Sequence, residues 1–155
     1  MKQSITVLFC SISLLFGSQL PSFAQSNSCR NAVINVRTTI QNRRNIVVNF
    51  EVRDVRERWR AFPSGRLAHL VVKLGGYPFH PRQFEWADDI LNSPQMLNSL
   101  SHQIISNCGD VSAVTYAKYR TGLSRTFGIV NGSVRQFQCI DPGNVLRWGQ
   151  HMCSV

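Results

Sequence analysis

Residues 93–140, SPQMLNSLSHQIISNCGDVSAVTYAKYRTGLSRTFGIVNGSVRQFQCI, carry the pattern that decides the fold. A Ser-Pro pair is a typical helix start, and the apolar residues after it recur at helical spacing, which predicts a helix over residues 94–107 that Gly109 prevents from continuing. The apolar residues then alternate with a period of two, and Asn131-Gly132 is a strong signal for a tight hairpin turn. A three-strand antiparallel meander is therefore expected after the helix. Its strands are residues 111–119, 125–130 and 133–140.

Strand patterns also occur before this stretch. Residues 46–53 alternate apolar and polar side chains, and residues 32–40 are rich in β-branched residues, so an N-terminal hairpin is expected around the polar turn between them. Residues 67–74 form an apolar run that a glycine pair ends, which predicts another strand. Residues 77–92 are less regular, with a short helix expected around Trp86. Together the patterns predict a single α+β domain, in which a mainly antiparallel sheet carries one principal helix.

The length and composition fit one folded domain. The chain has 155 residues, of which 43% are hydrophobic and 16% charged, and these values argue against a disordered or fibrous protein. Residues 1–24 are typical of a secretory signal peptide, with Lys2, an apolar run at residues 5–16 and small residues before Gln25. This run is shorter than the roughly 20 apolar residues of a membrane span. We expect residues 25–155 to be secreted or periplasmic, without a transmembrane segment after signal cleavage.

Four cysteines follow the predicted cleavage site: Cys29, Cys108, Cys139 and Cys153. An even number in an oxidising compartment predicts two disulfides, and the spacing does not match a zinc site. An odd number of strands separates Cys108 from Cys139, so the two lie at opposite ends of the expected sheet, roughly 20 Å apart. A disulfide requires Cα atoms within about 7 Å, which favours Cys29 with Cys108 and Cys139 with Cys153. Sequence alone leaves all three connectivities open. No metal and no cofactor are expected.

Arginine is the unusual feature of the composition. The chain holds 17 Lys plus Arg against 8 Asp plus Glu, a net charge of +9, and fourteen of the cations are arginine. Nine of the arginines lie between Arg30 and Arg66. Such a charge indicates an association with an anionic partner, or a solvated face that keeps the protein soluble.

The candidate anion-binding residues are Arg56, Arg58 and Arg60. If residues 54–60 form a strand, the three side chains project from one face, where guanidinium groups can bind phosphate, sulfate or carboxylate in a bidentate fork. If the segment is helical, its arginines pair with Glu57 instead. The expected partner is an anionic polymer or envelope surface. Nucleic acid is disfavoured, because the sequence contains no recognisable nucleic-acid-binding module.

A second candidate surface is the aromatic loop that holds Tyr77, Phe79, His80 and Trp86. Aromatic side chains near prolines are typical anchors of a protein interface, so this loop is the candidate contact for a protein partner. The alternative is that these rings cover one end of the core. His69 lies in an apolar run and is expected to be a packing residue.

No motif in the sequence identifies a reaction, because nucleophile, zinc-protease and phosphate-loop patterns are all missing. The first hypothesis is a small, basic, exported binding module without enzymatic activity. One alternative is a small secreted hydrolase with a histidine acid/base, for which His80 is the most site-like candidate because it lies in a loop. Another is a disulfide-stabilised inhibitor or accessory protein.

Overall fold

The computed structural model describes residues 26–77, 80–141 and 145–152, and these residues form a mixed α+β fold. The helices are α1 (Asn27–Arg43), α2 (Pro81–Leu91) and α3 (Pro94–Asn107). The strands are β1 (Val48–Asp54), β2 (Ala68–Leu74), β3 (Val111–Lys118), β4 (Ser124–Val130), β5 (Ser133–Gln136), β6 (Gln138–Ile140) and β7 (Gln150–Met152). The predicted signal peptide, residues 1–24, lies outside the described residues.

The main sheet has five strands in the order β1-β2-β3-β4-β5. All neighbours are antiparallel except β2 and β3, which are parallel because the chain crosses over between them through α2 and α3. A second sheet pairs β6 with β7 in parallel. The expectation of a mainly antiparallel sheet in an α+β fold is confirmed.

The predicted hairpin between residues 32–40 and 46–53 is wrong in its first half, because residues 27–43 form α1. The Ser26 hydroxyl caps this helix by accepting a hydrogen bond from the Cys29 amide at 3.1 Å. The buried residues of α1 recur at the three- and four-residue spacing of a helix face: Cys29, Ala32, Val33, Val36 and Ile40. Burial of this face outweighs the modest preference of β-branched residues for strands.

The helix and meander predicted from residues 93–140 are confirmed. Helix α3 spans residues 94–107, and β3, β4 and β5 follow as an antiparallel meander with Asn131 and Gly132 at positive φ in the last turn. The third predicted strand is interrupted at Phe137, where the amide donates to the Thr126 carbonyl oxygen. The expectation of one principal helix is corrected, since α1 and α2 also pack on the sheet.

The two faces of the sheet are covered differently. The helices and the apolar side chains of the strands enclose the main core on one face. On the other face, a smaller cluster covers only part of the sheet, and its buried members are Val55, Trp59, Ala113, Phe137 and Leu146. The rest of this second face is mainly polar, with Val71 and Ala117 as apolar members.

A disulfide joins Cys29 in the first turn of α1 to Cys108 at the end of α3, with the Cα atoms 4.6 Å apart. This pair is the one predicted from the strand count. The partner predicted for Cys139, Cys153, lies outside the described residues. Of the helices that the structure describes, none is both long and apolar enough for a membrane span.

Candidate functional site

The polar part of the second sheet face arises from the period-two pattern of its strands. On β1, Phe50 and Val52 pack against the main core, so Glu51 and Arg53 project from the opposite face. The same alternation on β2 places Lys73 on that face. A charged patch therefore lies across two neighbouring strands.

A buried hydrogen-bonded chain lies beside this patch. His69 is directly opposite Arg53 in the β1–β2 register, and its Nε2 is 2.7 Å from the hydroxyl of Thr115 on β3. Thr115 is opposite Thr126 on β4, and the two hydroxyls are 2.8 Å apart. The His69 Nδ1 is buried and has no hydrogen-bond partner within the described part of the chain. The Nε2 atom of His69 is therefore hydrogen-bonded, whereas its Nδ1 atom has no partner in the described residues.

Glu51 organises two of the cations. Its carboxylate accepts a hydrogen bond from Arg53 Nε at 2.6 Å and forms an ion pair with Lys73. The hydrogen bonds from Arg53 and Lys73 lower the pKa of Glu51 to about 2, so the carboxylate stays charged. Glu51 engages Arg53 through Nε, and within the described residues the two terminal guanidinium nitrogens of Arg53 form no hydrogen bond.

Arg58 reaches the same face from a turn that folds back over the sheet. Residues 55–57 form one 3₁₀ turn, and the buried side chains of Val55 and Trp59 anchor it. The Arg58 guanidinium lies over the Trp59 ring, 5.3 Å from the centroid. It forms no ion pair with any residue that the structure describes. Burial, and then the charge of Arg53, lower the pKa of Arg58, which means that its positive charge is poorly compensated.

These side chains line two adjoining hollows, and Arg53 and Arg58 line both. We call the first, of about 330 Å³, the cationic cleft; it is lined by Arg53, Arg58, Lys73 and Arg120 and by residues of β3 and its following turn. None of its described lining residues is acidic. The second, of about 270 Å³, is the histidine hollow, lined by Arg53, Arg58, His69, Asp54 and Glu57.

The structure separates the three predicted anion-binding arginines. Residues 54–60 do not form the expected strand, because β1 ends at Asp54 and the 3₁₀ turn follows. Arg56 is exposed and tied to the Asp54 carboxylate by bonds of 2.5 to 3.0 Å. Arg58 lines the cationic cleft. Arg60 lies elsewhere, in a groove of about 970 Å³ whose lining includes Arg147 and Trp148.

The residues of the aromatic loop do not form one exposed surface. Tyr77 is 88% exposed, whereas Trp86 packs against the main core. The His80 imidazole caps α2, with Nδ1 accepting from the Arg82 amide at 3.2 Å. Phe79 lies outside the described residues. A protein partner for this loop stays a prediction.

Sequence reasoning missed several members of the site. His69 was expected to be a packing residue, and its Nε2 is indeed satisfied, but its Nδ1 is not. The period-two pattern of residues 67–74 already places His69 and Lys73 on one face. Their neighbours across the sheet, Arg53 and Thr115, depend on the strand order and register, which sequence pattern does not supply.

In the described residues, no group of three or more metal-ligating side chains occurs. Comparison with known proteins gives no match to a family model, to a curated protein sequence or to a solved structure.

Proposed function

We propose that this chain is an exported binding protein that recognises an anionic polymer or envelope surface through the cationic cleft. The observation that carries the proposal is Arg58, a guanidinium that burial and a second arginine leave poorly compensated at the point where both hollows meet. An anionic group beside Arg58 supplies the missing counter-charge and accepts the bidentate hydrogen bonds that guanidinium offers.

The charge around the cleft supports attraction of an anion. Five cations line it, among them Lys118. Glu51 is shared between Arg53 and Lys73, and Asp88 pairs with Lys118, but neither acid lines the cleft. The net charge of +9 adds long-range attraction toward a polyanion. Ser124 also lines the cleft and offers a hydroxyl donor.

Export is supported by the sequence of residues 1–24 and by the Cys29–Cys108 disulfide. Disulfides persist in secreted and periplasmic proteins and are rare in the reducing cytosol. Anionic polymers of a cell envelope are accessible in that compartment.

The experiment is a salt series of binding by the oxidised protein to dextran sulfate and to phosphatidylglycerol vesicles. We expect the affinity to fall steeply as salt rises, because polyanion binding releases counterions. Arg58→Ala should weaken binding on the order of tenfold or more, as expected for the loss of hydrogen bonds between charged groups.

Arg56→Ala is the matched control. It removes the same charge two residues away, but from a side chain that already pairs with Asp54. We expect it to weaken binding only slightly. Absence of binding at low salt, or an equal loss in the two variants, would show that the cleft is not the site.

A further inference from the structure

The histidine hollow differs chemically from the cationic cleft beside it. Asp54 and Glu57 contribute carboxylates to its lining, so the hollow does not suit a bare anion. Asp54 is occupied by Arg56, but the Glu57 carboxylate forms no hydrogen bond with any residue in the described ranges. Glu57 is exposed, so water hydrates its carboxylate in the free protein, and a ligand that displaces this water must supply a hydrogen-bond donor in its place.

His69 adds a buried group without a hydrogen-bond partner in the described residues to the hollow. Its ring is 1% exposed and its Nδ1 lacks a partner, which is costly for a buried polar atom. Either hydroxyl can donate in the Thr115–Thr126 contact, so the chain can leave Nδ1 as an acceptor or as a donor. A ligand hydroxyl satisfies both arrangements, whereas a carboxylate or sulfate satisfies only the second.

The two hollows together define a composite ligand. Arg53 and Arg58 line both of them, so one ligand can place an anionic group in the cationic cleft and a neighbouring group in the histidine hollow. We propose that the ligand is an acidic polysaccharide, whose carboxylate meets Arg53 and Arg58 while hydroxyls of the same or the adjoining sugar contact Glu57 and His69. This inference rests on the proposed function and specifies its ligand.

Two carboxylate polymers test the inference. Polygalacturonate carries hydroxyls beside each carboxylate, whereas polyacrylate carries none and has its carboxylates closer together. A site that responds to charge alone prefers polyacrylate. We expect the oxidised protein to bind polygalacturonate on the order of tenfold more tightly at equal carboxylate concentration and salt, since two added hydrogen bonds contribute that much.

Glu57→Ala removes both the charge and the hydrogen-bond acceptor, so the two explanations predict opposite changes in affinity. Glu57 is exposed, so the substitution leaves the core intact, and it removes one negative charge beside the arginines. If Glu57 accepts a hydroxyl, the variant binds polygalacturonate several-fold more weakly although its net charge is more favourable. If charge alone decides, both polymers bind more tightly. Glu85→Ala on α2 is the control, because Glu85 is also exposed but does not line either hollow.

The outcomes separate the two proposals. Equal or tighter binding of polyacrylate, or a gain in polygalacturonate affinity in Glu57→Ala, overturns the polysaccharide inference while the anion-binding function stands. No binding of any polyanion at low salt overturns both. A nitrogen-detected NMR spectrum provides an independent readout, since contact with a hydroxyl should shift the His69 Nδ1 resonance and polyacrylate should leave it in place.

Discussion

At the scale of single residues, burial keeps His69 uncharged beside the arginines of the site. Burial is the largest cause that lowers the pKa of His69 to about 3, and the charges of Arg58 and Arg53 add to it. The imidazole is therefore neutral at physiological pH. A neutral ring can lie beside two guanidiniums without repelling them, and it keeps one nitrogen for hydrogen bonding.

The depressed pKa of His69 predicts that stability depends on pH. The unfolded chain takes up a proton near pH 6.5, whereas the folded chain does so only near pH 3, so the free energy of unfolding decreases as the pH falls through this window. From pH 7 to pH 5, His69 alone should cost about 2 kcal/mol. His151, whose pKa is also lowered by burial, acts in the same direction. Urea unfolding at pH 5, 6 and 7 measures the sum.

His69→Gln should flatten this pH dependence, because it removes the group whose pKa burial lowers. An NMR titration of the folded protein checks the cause directly, because the His69 ring should stay neutral throughout the range. A ring that protonates near pH 6 would contradict the account.

The arginines show what sequence can and cannot predict at this scale. Composition indicates a cluster of guanidiniums near residue 58, and Arg58 does line the cationic cleft. Sequence does not show that Asp54 engages Arg56, since that contact depends on the 3₁₀ turn. It also does not place Arg53 opposite His69, which follows from strand register.

At the scale of elements, α1 and β4 show two different features that local sequence pattern does not predict. The α3 helix and its meander could be predicted because caps, glycines and periodicity all agree. In α1 the β-branched residues favour a strand. The segment is helical because its buried face packs against α3 and the sheet. Close packing between β4 and the residues that cover it is even harder to predict from sequence.

Gly128 on β4 gives a prediction at this scale. A Cβ atom built there would lie 2.6 Å from the Phe137 ring and 3.0 Å from the Ser112 carbonyl oxygen. Phe137 is buried and packs edge-on against Trp59 and Trp148, so it has little room to move. Gly128→Ala should lower the free energy of unfolding by about 1–3 kcal/mol through overpacking, as measured by urea denaturation.

Gly109→Ala is the matched control, because a Cβ at that position meets no atom within 4 Å. We expect it to change the free energy of unfolding only slightly. Equal effects of the two substitutions would indicate that the Phe137 contact does not limit the size of the residue at position 128.

At the scale of the whole molecule, the disulfide connects the first helix to the segment that begins the meander. Helix α1 precedes the sheet in sequence and packs on α3, which lies 50 or more residues further along the chain. Docking α1 therefore closes a long loop, and its entropic cost must be met by the buried face and by the crosslink. The cationic cleft lies on the opposite face of the sheet and does not include the contact between α1 and α3.

The double substitution Cys29→Ser and Cys108→Ser tests how much of the docking of α1 depends on the crosslink. The crosslink closes a loop with a sequence separation of 79 residues, and the chain-entropy estimate for that length is about 4.5 kcal/mol of stability. We expect that loss in urea denaturation, with amide hydrogen exchange rising first in α1. Because the cleft lies on the other face, the variant should retain its polyanion affinity under conditions where it remains folded. An unchanged free energy of unfolding would mean that the buried residues Val33, Val36 and Ile40 hold α1 without the crosslink.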